Sequence, residues 1–150
     1  MNAELLLKNI SFIKSGVSMR KRKISQVTEA KVIYGNVLQQ KSFDFAVRVV
    51  KFYKYLLKKD KNLRSLYEQL LRCGTSIGAN VSEAQSAHSK KDFVNKLDIS
   101  LKEGRETDFW LKVFHKAEII TEKEFISLFN NCDELERLLV SSIKTAKSSI

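Results

Sequence analysis

The sequence predicts an all-α fold, an antiparallel up-down-up-down four-helix bundle with an N-terminal extension. Three observations predict it. The 150 residues include no proline and only five glycines, so turn punctuation is scarce. From Ser42 onward apolar residues recur at three- and four-residue spacing, while strand-like alternation is nearly absent. The periodic segments, roughly 17–29 residues each, are joined by connections of about two to five residues, which makes successive helices antiparallel neighbours. An α+β domain is the runner-up and would need a strand pair in the first forty residues. The length suits one domain with a real core.

Residues 1–41 form the extension and residues 42–150 the bundle. In the extension Leu5, Leu6, Leu7, Ile10 and Ile13 suit one or two amphipathic turns. Met19 then precedes a basic run, Arg20, Lys21, Arg22 and Lys23. Such a run is ordinarily a solvated arm; contact with nucleic acid is the sharper reading. From Val27 to Val37 the β-branched residues follow no clean period.

The first helix is expected over 43–59, with Ser42 as its N-cap. Phe43, Val47, Val50 and Leu57 make one stripe, and Phe45, Val49, Phe52 and Leu56 a second beside it. An apolar arc this wide points to burial on more than one side, within the bundle or against another subunit. Lysines 58, 59 and 61 around Asp60 close the helix, where the macrodipole favours cations.

The central helix, 63–86, organises the rest. Tyr67, Leu70, Leu71, Gly74, Ile77, Gly78, Val81 and Ala84 share one stripe whose second half is built from small residues. A helical glycine costs about 1 kcal/mol against alanine, so two of them four apart on a buried face imply a closely approaching neighbour. Asn80 and Glu83 sit on the same turns and need partners, expected on another helix. Ser89 to Asp92 reads as a capping box in its acidic variant, opening a third helix that ends near Ala117. Its inward residues are Phe93, Leu97, Leu101, Gly104, Asp108, Leu111 and Phe114 or His115. Thr121 to Glu124 is a second capping box. The fourth helix carries the seam Phe125, Leu128, Cys132, Leu135, Leu139, Ser142, Ile143, Ala146.

Two cysteines in so long a chain, Cys73 and Cys132, each on an apolar stripe, read as buried thiols and not as a disulfide scaffold. The start lacks the layout of a secretory signal, and no run approaches the ~20 apolar residues that cross a bilayer. A reduced cytoplasmic location without membrane attachment is the expectation.

Catalytic and metal chemistry find little to stand on. A carboxylate-bridged di-iron site needs Glu-x-x-His pairs, and here the only close spacing is Glu103-x-x-Glu106. Cys73, Cys132, His88 and His115 lack the paired short spacings of a zinc site. His88 falls in a connection, and His115 at a helix end reads as packing or capping. The stretch from Cys73 to Gly78 lies within a helix and lacks the Lys-Ser/Thr ending of a phosphate loop. No metal, no cofactor and no enzyme activity are expected. Asn80, Glu83, Lys102, Glu103 and Glu106 remain as a polar set, read as a hydrogen-bonded network that fixes helix register.

Charge carries more information. The chain has a formal net charge of +10, of which residues 1–42 hold eight basic against two acidic side chains. Candidate phosphate contacts are Lys51, Lys54, Lys58, Lys59, Lys61, Arg64, Arg72, Lys90, Lys91 and Lys96. Lys51, Lys54, Lys58 and Lys61 recur at helical spacing, with Tyr53 and Tyr55 nearby. A solvated helix face is the ordinary explanation of such a row; binding of a phosphate backbone is the alternative.

Residues 42–48, the segment 69–84 with its Ser76-Ile77-x-Ala79-Asn80-x-x-Glu83 core, and Ser89 through Phe93 resemble a family of bacterial four-helix bundles. Lys102-Glu103, Glu106-Thr107 and Trp110-Leu111 continue the resemblance, which covers about residues 42–147. Members include proteins encoded in intervening sequences of 23S ribosomal RNA. The resemblance implies a ring-like homopentamer with a basic surface and no catalysis by the chain. A related branch, the accessory variability determinant of diversity-generating retroelements, binds a reverse transcriptase and nucleic acid. The expected function is thus non-enzymatic, oligomeric binding of nucleic acid, RNA before DNA. A scaffold docking a reverse transcriptase is the alternative. Ser100 and Gly104 depart from the family pattern and are expected to loosen the third helix; the extension has no counterpart in it.

Overall fold

A computed structural model of the chain describes residues 37–148. The basic run 20–23, the apolar segment 5–13 and the irregular stretch 27–36 lie outside the described residues.

The first helix, α1, occupies residues 37–59 of the described chain. Ser42 is therefore not an N-cap. It is 1% exposed inside the helix, and its hydroxyl donates to the Gln39 carbonyl at 3.0 Å. The helix extends upstream of Ser42 because Leu38, 3% exposed, belongs to the core, and because Gln40 bonds Asp44 one turn on. Packing overrides the local capping signal. After Lys59 a 3₁₀ turn spans Lys61–Leu63, capped by Asp60 Oδ1, which accepts the Asn62 N–H at 2.8 Å. Then come α2 (Arg64–Gln85), α3 (Lys90–Lys116) and α4 (Glu122–Lys147).

Both capping motifs hold. Ser89 Oγ accepts the Asp92 N–H at 3.1 Å, while the Asp92 carboxylate reaches back to the His88 N–H. Thr121 and Glu124 make the complete reciprocal box.

Four sets of contacts fix the helix order. Tyr53 meets Glu68, Val49 lies over Gly74 and Ser42 over Gly78, so α1 and α2 run antiparallel. Tyr67 packs edge-on against Phe114, Ser100 bonds Ile77, and Lys96 pairs with Glu83, which sets α3 antiparallel to α2. His115 pairs with Glu122 at 2.6 Å and Lys147 with Asp98 at 3.3 Å across α3 and α4. Arg48 to Ser127 and Lys41 to Glu134 close the square between α1 and α4. The described residues fold as an all-α, up-down-up-down four-helix bundle.

The core runs its whole length, from Leu38, Val81, Ala84, Val94 and Ala146 through Phe45, Ile77, Leu97 and Leu139 to Leu56, Tyr67, Phe114 and Ile120. On α3 the inward residues shift from expectation: Val94, Ser100 and Thr107 are buried, whereas Phe93, Leu101 and Asp108 are only half-buried. Small residues stand where backbones approach. A Cβ at Gly78 would lie 3.0 Å from the Ser42 carbonyl oxygen, and one at Gly74 would lie 2.9 Å from Val49 Cγ2. Ser100 and Gly104 serve the same end on α3, contrary to the expected loosening. Ser100 Oγ donates to the Ile77 carbonyl at 2.9 Å, and the Cys132 thiol donates to the Gly104 carbonyl at 3.3 Å.

The two stripes of α1 part company. Phe45, Val49 and Leu56 are buried, but Phe43 is 63% exposed and Val47 and Val50 are 37% exposed.

Candidate nucleic-acid interface

Lys51, Lys54 and Lys58 lie on α1 at spacings of three and four, so they project from one side of the helix. All three are exposed, and none has an ion-pair partner among the described residues. Lys61 continues in the 3₁₀ turn. The remaining candidates are differently placed. Lys59 is tied to the Ile119 carbonyl at 2.8 Å, holding the α3–α4 connection to the end of α1. Arg64 pairs with Glu68 at 2.8 Å, and Arg72 donates to Gln69 at 2.7 Å. Lys96 is neutralised by Glu83. Lys90 and Lys91 are exposed at the start of α3.

These ten residues do not form one patch. Arg64 opens the 22-residue α2 and Lys90 lies past its far end, a helix length of about 33 Å at 1.5 Å per residue. One cluster therefore follows α1 toward the 3₁₀ turn, and Lys90 and Lys91 sit at the opposite end of the bundle. The α1 row presents exposed ammonium groups that have no ion-pair partner among the described residues.

The polar set is dispersed as well. Asn80 bonds the Ser76 carbonyl of its own helix at 2.9 Å, not a partner across the interface. Glu83 does reach across, to Lys96. Glu103 offers its backbone carbonyl to Thr107 at 2.8 Å, and Glu106 accepts the Trp110 indole N–H at 3.4 Å. Lys102 is exposed. Burial, then the neighbouring Glu106 charge, raises the Glu103 carboxyl pKa, and Arg72 pulls against both. Register is fixed instead by Ser100 and Cys132, whose bonds end on backbone carbonyls. Position alone pointed to Ser100: three residues after Leu97 and four before Gly104, it lies on the inward stripe.

Cys73 and Cys132 are free and buried. Burial pushes the Cys73 thiol up to about 11 and Cys132 higher still, so both are neutral thiols at ordinary pH. His88 is exposed in the α2–α3 connection, and His115 stacks on Phe125 at 4.7 Å while pairing with Glu122. Among the described residues, no helix is long and apolar enough to cross a membrane.

A family model described as 23S rRNA-intervening sequence protein matches residues 36–141. A crystal structure from Bacteroides thetaiotaomicron VPI-5482, of a protein of unknown function in the S23 ribosomal protein family, is 46% identical to this chain. It superposes with a TM-score of 0.72 over 74% of this chain and 98% of its own. No curated protein matches. With the fold, the small-residue crossing on α2 and the match over most of its length in agreement, the chain belongs to the 23S rRNA-intervening sequence protein family.

Proposed function

We propose that the chain is a non-enzymatic, oligomeric protein that binds structured RNA by charge and shape. The observation that carries this reading is the α1 row of Lys51, Lys54 and Lys58, exposed and unpaired among the described residues in a chain of net charge +10. The family's association with 23S rRNA supports RNA as the nucleic acid. Phosphate contacts set affinity and leave sequence largely unread, because no base-reading module accompanies the row among the described residues. Electrophoretic mobility shift of the full chain on a structured RNA tests it. Binding should weaken steeply with salt, and the triple change Lys51→Gln, Lys54→Gln, Lys58→Gln should flatten the log–log slope by about three. Absence of binding at low salt contradicts the reading.

Oligomerisation belongs to the same proposal. Phe43, Val47 and Val50 form an exposed apolar strip on α1, the helix whose Ser42 and Ala46 lie over Gly78 of α2. A second copy is the occupant that fits, and the family resemblance implies a pentamer. Light scattering should give a pentameric mass, and Val47→Lys should reduce it. A monomeric wild-type mass contradicts assembly; capture of a reverse transcriptase on the Val47 face would assign the strip to that partner instead.

A further inference from the structure

The groove between α1 and α4 contains two adjoining hollows separated by Arg48. The larger, about 320 Å³, is lined by Arg48, Lys51, Phe52, Tyr55, Glu124 and Ser127 over Leu128. That volume is at the lower end of the ~300–1,000 Å³ of small-ligand sites. Arg48 and Lys51, three apart, stand on the same side of α1. The guanidinium is held in place by Ser127, whose hydroxyl accepts it at 2.9 Å and whose carbonyl accepts it at 3.3 Å. Lys51 has no ion-pair partner among the described residues. One helical turn further on, the Tyr55 ring is 46% exposed and stacks on Phe52 at 5.9 Å and 25°.

Among the described residues the single carboxylate lining this hollow is already committed. Glu124 Oε2 accepts the Thr121 N–H at 2.7 Å and the Thr121 hydroxyl at 2.9 Å, closing the α4 cap. Hydrogen bonding to this carboxylate, and its charge, raise the Tyr55 phenol pKa. With Arg48 and Lys51 against Glu124, this hollow carries a net +1. In the smaller one, about 250 Å³, Lys41 and Arg48 are balanced by Asp44 and Glu134, and Lys41 pairs with Glu134 at 2.9 Å. Only the larger hollow favours an anion, and only it has an aromatic face within reach of that anion.

We propose that this hollow takes one unpaired nucleotide, with its phosphate between Arg48 and Lys51 and its base stacked on Tyr55. The inference rests on the RNA-binding reading and adds a preference that charge alone does not give. Base faces are free to stack on a side chain only where the strand is unpaired, whereas a duplex offers phosphates alone. Single-stranded loops or ends would dock at the hollow while paired segments lie along the lysine row.

The test is fluorescence anisotropy of the full-length protein with a short oligouridylate and with a hairpin duplex of equal charge. Tyr55→Ala should weaken oligouridylate binding about tenfold and leave the hairpin unchanged, while Tyr55→Phe should behave as wild type. In the wild-type protein, uridine monophosphate should shift the Tyr55 ring resonances. Wild-type binding of both probes with no loss in Tyr55→Ala overturns the hollow and spares the RNA reading. Failure of the wild type to bind either probe overturns both. A changed oligomeric mass in Tyr55→Ala assigns the groove to subunit contact and also overturns the proposal.

Discussion

At Gly78 an added Cβ meets backbone, the Ser42 carbonyl oxygen at 3.0 Å and its carbon at 3.3 Å, neither of which can rotate away. At Gly104 the nearest atom is Glu136 Cγ at 3.2 Å, on a side chain with rotamers to spare. Alanine gains up to about 1 kcal/mol over glycine in a helix, and overpacking costs about 1–3 kcal/mol where nothing yields. Gly78→Ala should therefore destabilise the protein by up to about 2 kcal/mol, and Gly104→Ala should leave it unchanged or up to about 1 kcal/mol more stable. Urea unfolding of the two variants checks the contrast. The buried thiols give a second expectation. Cys73 and Cys132 should resist a disulfide reagent at pH 8 on the timescale of minutes and both react on addition of denaturant; fast native labelling of either would contradict its burial. At this scale the sequence was partly legible. The stripe with Gly74 and Gly78 announced a close helix approach, and the structure shows the neighbour to be α1. The destination of the Asn80 bond was hidden, because its acceptor lies one turn back in the same helix, where stripe patterns carry no signal.

Among the helices, capping motifs were readable where they were complete. Ser89 and Thr121 each have a carboxylate three residues on, and both start helices; Ser42 has Phe45 at that position and lies mid-helix. The width of the α1 arc was legible, but which stripe meets the bundle depends on where α2 and α4 dock, and periodicity does not encode that. The α3–α4 seam carries a pH-dependent element. Glu136, folded over Gly104, has its carboxyl pKa raised by burial first and by Asp108 and Asp133 next, with Arg105 and Lys112 opposing. The native state then holds this proton at pH values where the unfolded chain has released it, so stability falls as pH rises past the ordinary glutamate range. Glu136→Gln should remove that fall and make the variant the more stable one near neutrality. Thermal melts from pH 4 to 8 would show it; an identical pH profile would contradict it.

For the whole molecule, the division of labour is between an interior that brings helices together through small side chains and an exterior that displays cations. Net charge and the α1 lysines were evident from composition and spacing. The separation of Lys90 and Lys91 from the α1 row, about the length of α2, follows from the predicted up-down topology, which puts successive connections at opposite ends of the bundle. Assembly and RNA binding are linked in this account: each added copy repeats the α1 row, so the charge-neutral change Val47→Gln should lower RNA affinity along with oligomeric mass. The most direct measurement is the salt dependence of binding between the full-length protein and a structured RNA. The account predicts log Kd rising linearly with log salt by several units of slope, about 0.9 per phosphate neutralised on duplex segments. Binding that is absent at low salt, or insensitive to salt, would contradict it.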